Sequence, residues 1–195
     1  MKYLFVFLLV GFMDSCGDDA TGDVDKQTSA TLKQPNCDEI EGIEDCDRNI
    51  KKEEFKNYTG IIKCCKKGKI KAFITLKDGK PDGEANIWYE NGQIQSSASF
   101  KDGIPDGGGI TWYENGQMEE EANYKDGEVN GLQRQWYENG QLESEVNFKD
   151  GKRVGLLRMW HKGGKIVFER NYKDGEIISE KCYDMDGNEI ECPEK

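Results

Sequence analysis

Four tryptophans and a block of carboxylates are the residues of this chain whose types and spacing point most directly to chemistry. Trp88, Trp112, Trp136 and Trp160 stand 24 residues apart. A file of indole rings suits the stacking of sugars or the anchoring of a protein partner, because each ring offers a large apolar face and a polar edge. Glu119, Glu121, Glu143 and Glu145 fall beside that file at the same interval. Neighbouring carboxylates are what a glycosidase uses as acid and nucleophile, and what a divalent cation takes as ligands. Both uses need a recess. On a flat, repeated strand face the same residues make a solvated surface. The plainer alternative for the tryptophans is that each packs over its neighbouring strands and a glycine gap.

The remaining candidates carry less. His161 is the only histidine, and no Ser-His-Asp or Cys-His pairing can be built around it. Asp184 to Asn188 echoes a calcium loop but lacks the later spacing and the final glutamate, so it reads as a hairpin turn. The Gly107-Gly108-Gly109 run belongs to a turn and a strand start rather than a phosphate-binding loop. The cysteines form no CxxC pair, which speaks against a zinc site. The expectation is a protein with no catalytic residue, no cofactor and no metal.

The elements that position these residues follow from the repeat. WYENGQ begins at 88, 112 and 136, and WHKGGK replaces it at 160. The triplet KDG recurs, with Gly79, Gly103, Gly127, Gly151 and Gly175 again 24 apart. A period of this length means a linear array of one small unit. An array repeats one surface, whereas catalysis needs a unique pocket. Asn91-Gly92, Asn115-Gly116, Asn139-Gly140 and Gly163-Gly164 predict two-residue type I′ hairpins, and each Asp-Gly predicts a second turn. The fold class is therefore all-β, an elongated antiparallel meander of 24-residue hairpins.

Two-residue loops would oppose Tyr137 to Leu142, Trp136 to Glu143, Gln135 to Ser144 and Arg134 to Glu145. Alternation then gives an apolar face with Tyr137, Leu142, Val146 and Phe148, and a second face with Leu132, Arg134, Trp136, Glu143 and Glu145. Arg158 falls opposite Glu169 in the same way. The face bearing the tryptophans with Glu119, Glu121, Arg134, Glu143 and Glu145 is the expected contact surface. Counting back from Gly92, a degenerate first repeat starts near Gly60, with Cys64 and Cys65 at the Trp and Tyr positions. At the other end Asp186-Gly187 turns a shortened capping hairpin. Five repeats at roughly 10 Å each make a twisted ribbon about 50 Å long.

Composition fits this plan. Hydrophobic residues are 35% and charged residues 33%, with 23 glycines mostly at turns. Residues 17–57 carry 12 acids and 6 bases, residues 61–80 carry 7 lysines, and residues 81–195 carry 24 acids and 13 bases. The array is acidic, which disfavours nucleic acid and anionic lipid as partners. The lysine-rich stretch reads as a solvated strand face.

Tyr3 to Met13 is an apolar run too short to span a bilayer, which takes about 20 residues, so 1–15 reads as a signal peptide. Ser15-Cys16 resembles the end of a bacterial lipoprotein signal, which makes Cys16 the lipidated residue. Residues 16–36 read as a flexible tether. The six other cysteines, Cys37, Cys46, Cys64, Cys65, Cys182 and Cys192, suit disulfides in an oxidising compartment. Cys182 and Cys192 flank one turn, and a bridge across that hairpin is expected. Pairing of Cys64 and Cys65 with Cys37 and Cys46 would staple a cap, residues 37–59, over the first edge. A short helix over 47–57, N-capped by Asp47, is expected there. Five repeats then fill 60–179, and a capping hairpin fills 180–195.

WYENGQ, YKDG and the following glycine resemble the bacterial variant of the MORN repeat, a family often labelled as YwqK-type antitoxins. The resemblance covers about residues 60–190. It implies hairpin ribbons used for binding or scaffolding. The expected role is a lipid-anchored, non-enzymatic protein of the cell envelope, at the outer membrane or cell surface, that binds a protein or glycan partner. The alternative is an antitoxin or immunity protein whose acidic face neutralises a basic toxin.

Overall fold

The structure, a computed structural model, describes residues 56–193 and two short strands, Gly22–Asp23 (β1) and Ile43–Glu44 (β2). The signal segment 1–15, Cys16, Cys37, Cys46 and most of the tether and cap, including the helix expected from Asp47, lie outside the described residues. Every described element is a strand. Two compact units divide the chain, residues 1–116 and 117–195.

In the first unit, β3 (Gly60–Lys66), β4 (Lys69–Lys77), β5 (Lys80–Trp88), β6 (Gly92–Lys101) and β7 (Ile104–Trp112) pair antiparallel in chain order. β2 runs parallel along the outer side of β3, with Ile43 beside Ile62, and β1 runs parallel to the start of β6. In the second unit, β8 (Met118–Lys125) pairs with β9 (Glu128–Val129) and β10 (Gly131–Trp136). β11 (Leu142–Lys149), β12 (Lys152–Trp160), β13 (Ile166–Lys173), β14 (Glu176–Tyr183) and β15 (Glu189–Ile190) follow as one antiparallel meander.

The turns stand where the sequence places them, but the expected two-residue turn at Asn-Gly is a longer loop, and the two-residue turn lies at KDG. At each KDG the aspartate and the glycine both take positive φ: Asp150 is at 48° and Gly151 at 70°. Lys149 faces Lys152 across them, so this is the two-residue turn. At Asn139-Gly140 only the glycine is left-handed, at 81°. Gly140 N–H donates to the Tyr137 carbonyl at 2.8 Å, and Tyr137 N–H donates to the Gln141 carbonyl at 2.9 Å. That is a three-residue loop, a type I turn followed by a left-handed glycine. Asn139 has another task, since its Oδ1 accepts the Gln141 N–H at 3.1 Å.

The longer loop corrects the register near it. Trp136 faces Leu142 rather than Glu143, and a bulge restores Gln135–Ser144 and Arg134–Glu145 as expected. Trp88 likewise faces Ile94, and Trp160 faces Ile166. The residue expected across the sheet on the apolar side, Leu142 and its equivalents, is therefore the tryptophan's direct neighbour. The first hairpin keeps a two-residue turn at Lys67-Gly68, one residue shorter, so Cys65 faces Ile70. Cys65, not Cys64, takes the tryptophan's place.

Away from the turns the apolar face is as derived. Ala98 and Phe100 pack with Ile62, Ile74, Leu76 and Ala85 in the first unit. Val146 packs with Leu157 and Tyr172 in the second, with Phe148 and Phe168 against them. In the first unit a glycine four residues past KDG takes positive φ. Gly83 and Gly107 take φ of 115° and 113°, and a Cβ there would stand 3.1 Å from Thr75 Cβ and 3.0 Å from Ser99 Cβ. That glycine supplies both the conformation and the close approach.

Candidate binding face

The tryptophans do not form a uniform file. Trp88 and Trp112, in the first unit, are each 5% exposed. Trp88 stacks obliquely on Phe73, with centroids 5.8 Å apart. These two rings are interior. Trp136 and Trp160, in the second unit, are half-buried.

The rest of WYENG explains why the motif repeats. The Tyr89 hydroxyl donates to the Trp112 carbonyl at 2.8 Å, and the Tyr137 hydroxyl donates to the Trp160 carbonyl at 2.8 Å. Asn91 Nδ2 donates to the Glu114 carbonyl at 2.6 Å, and Asn139 Nδ2 to the Lys162 carbonyl at 2.9 Å. Each pair stitches one repeat to the next. The KDG end is stitched too: Gly103 N–H donates to the Pro81 carbonyl at 2.7 Å, and Gly175 N–H to the Arg153 carbonyl at 3.1 Å.

Beside Trp136 and Trp160 runs a ladder of alternating charge. Arg134 reaches Glu121 at 3.8 Å and Glu145 at 3.5 Å; Arg158 reaches Glu145 at 3.3 Å and Glu169 at 2.9 Å. Tyr183 donates to the other Glu169 oxygen at 3.2 Å. The hydrogen bond that Arg158 donates to Glu169 leads the causes that hold its guanidinium above its usual pKa. Of the acidic block, Glu121 and Glu145 are thus arginine partners. Glu143 stands beside Tyr137, whose hydroxyl is pushed up first by burial and then by that carboxylate. Glu119 is half-buried on β8. The four carboxylates do not converge on one point.

A second polar group was not legible as a site. Glu120 accepts from the side-chain amides of Gln133 and Gln135, and Ser144 Oγ donates to Gln135 Oε1 at 3.1 Å. Burial, then the Glu120 charge, pushes the Tyr124 hydroxyl up to about 12. The signal was present in the sequence: Gln133 and Gln135 occupy the repeat positions held by Ala85 and Ile87.

Toward the termini, the lysine-rich stretch is partly paired, with Lys71 on Glu90 at 3.2 Å, and Lys63 is buried. Cys65 is disulfide-bonded and Cys64 is buried. Cys182 and Cys192 are bridged across their hairpin, with Cα atoms 5.2 Å apart. Glu180 lies near those sulphurs, which are bonded to each other and so are not metal ligands. Asp184 Oδ1 accepts three backbone N–H groups, from Asp186, Gly187 and Asn188. The Asn188 amide leads the bonds that hold its carboxyl below the usual range. The Asp184–Asn188 segment is a turn, as expected.

The MORN repeat variant matches residues 81–102, 106–126, 129–150 and 153–174. The hairpin of β3 and β4 precedes the matched segments. No curated protein matches the chain. MORN repeats suggest a repeat-based protein-binding or membrane-associated role. With the tyrosine and asparagine stitches, the left-handed glycines and the 24-residue spacing, these matches identify residues 81–174 as four consecutive repeats of the MORN variant type.

Proposed function

We propose that this chain is a non-enzymatic, lipid-anchored protein of the cell envelope that binds a protein or glycan partner through its repeat face. One observation carries the reading: Trp136 and Trp160 are half-buried rather than interior, and stand beside the ladder from Glu121 to Glu169. An aromatic ring with a polar surround is the pattern of an interface hot spot. The interior position of Trp88 and Trp112 confines the contact to the second unit. Anchoring is supported by the short apolar run ending in Ser15-Cys16. The alternative partner, a basic toxin neutralised by this chain, is favoured by the acid excess of 24 over 13 in residues 81–195.

The test is a pair of variants. Trp136→Ala and Trp160→Ala should weaken binding to a recovered partner by about 1–2 kcal/mol or more, while thermal melts show the fold intact. Unchanged binding in folded variants would refute the contact role.

A further inference from the structure

The two units treat their outer strands differently. β3 is buried through its middle and has β2 alongside it. β14 has β13 on one side, and on the other only β15, which meets it at Cys182 and Tyr183 alone. From Glu176 to Lys181 no described strand lies on that outer side. All but Glu180 of these six residues are exposed, Ile177 at 38% and Ile178 at 59%. In the preceding repeat the returning strand β13 pairs with β12 (Lys152–Trp160) from Gly155 to Trp160, so the positions equivalent to Ser179, Glu180 and Lys181 are covered there. After β14 the return stops at Ile190, and the disulfide to Cys192 holds it across the far end.

A strand edge with open N–H and C=O groups is a template for pairing, which proteins ordinarily cover or charge. This edge carries two adjacent exposed isoleucines between Glu176 and the Glu180-Lys181 pair. The pairing with β13 steps from Asn171–Ser179 to Tyr172–Ile177, so Ile178 is the extra residue of a bulge, and both isoleucines are exposed along the edge. Around them the charge is one-sided. Residues 174–191 hold seven acids (Asp174, Glu176, Glu180, Asp184, Asp186, Glu189 and Glu191) against one base, Lys181. Arg170 takes up Glu180 and Lys181 takes up Glu189. Glu176 and Glu191 remain exposed at the two ends of the edge.

We propose that the outer edge of β14, from Glu176 to Lys181, binds an extended segment of a partner protein as an added strand. The segment has two consecutive β-branched apolar residues flanked by lysine or arginine. Main-chain hydrogen bonds supply the pairing, the apolar pair covers Ile177 and Ile178, and the basic flanks meet the carboxylates. A second copy of this chain is disfavoured, because it would bring two acidic edges together. The proposal rests on the partner-binding reading and adds a site distinct from the tryptophan face.

The experiment uses the full chain with its disulfides formed and a labelled synthetic peptide with two central valines flanked by lysines. Fluorescence anisotropy should show binding, lost when one valine of the peptide is replaced by proline. Ile178→Lys and, separately, Ile177→Lys should weaken binding by about tenfold or more, because a lysine on the edge opposes a basic strand. Melts of both exposed-site variants confirm folding. Trp160→Ala should leave peptide binding unchanged. No peptide binding, or binding by both lysine variants equal to that of the unmodified chain, overturns the edge proposal. Loss with Trp160→Ala alone overturns it too, and leaves the tryptophan face standing as the contact surface. A dimer of the unmodified chain that Ile178→Lys dissociates would show that a second copy occupies the edge, and would also overturn it.

Discussion

At the scale of the residue, one repeated motif serves three structural ends before any is left for binding. The tryptophan fills the space over its own hairpin, the tyrosine and asparagine reach the next repeat, and the glycine takes a left-handed φ. Tyr137→Phe removes only the hydroxyl that meets the Trp160 carbonyl, and should lower stability by about 1 kcal/mol in a denaturant titration. Trp112→Ala removes an interior ring and should lower it by about 3–5 kcal/mol. The Tyr124 hydroxyl offers a pH test. Its pKa rises from the ordinary tyrosine value of 10.0 to about 12 in the fold. A raised folded value means that the contribution is complete below pH 10 and is lost as pH climbs toward 12. An ultraviolet titration should find Tyr124 among the last tyrosines to ionise, and Tyr124→Phe should flatten the alkaline fall in stability. The spacing made the tryptophans visible, but their burial was not: half-buried and interior rings occupy identical motifs, and the difference lies in what the neighbouring strands bring against them.

At the scale of the element, turn chemistry was right about place and wrong about type. Asn-Gly favours a two-residue turn in isolation. Here the asparagine side chain is used by the following repeat and by Gln141 N–H, and the loop lengthens to suit. The aspartate of KDG takes the left-handed position in its stead, at φ 48–51°. Asp150→Asn should be nearly neutral there, while Asp150→Val, forced to the same φ, should cost about 1–2 kcal/mol or more by thermal melt. Beyond the bulge the ladder partners were legible, because the bulge returns the register to Arg134–Glu145 and Arg158–Glu169. The arginines of these pairs are about 40% exposed, so solvent screens them. A double-mutant cycle on Arg158 and Glu169 should return a coupling below about 1 kcal/mol that shrinks as salt is added.

At the scale of the whole molecule, periodicity was the most informative property of the sequence, and it specified an all-β repeat array without naming a ligand. What sets the second unit apart lies where its residues depart from the first: the glutamines at 133 and 135, the arginines at 134 and 158 where Asn86 and Ile110 stand, and the edge of β14. The central claim is that binding uses the tryptophan side of the second unit. It is tested most directly by site-specific photo-crosslinking in the producing cells, with a benzophenone amino acid placed at Leu156 or at Arg153. Leu156 shares a face with Arg158 and Trp160, whereas Arg153 faces Phe148 and lies over the Tyr172 ring on the other side. A discrete crosslinked adduct is expected from position 156, fading in the Trp160→Ala background, and none from position 153. An adduct from 153 alone, or one from 156 that persists without Trp160, would contradict the claim.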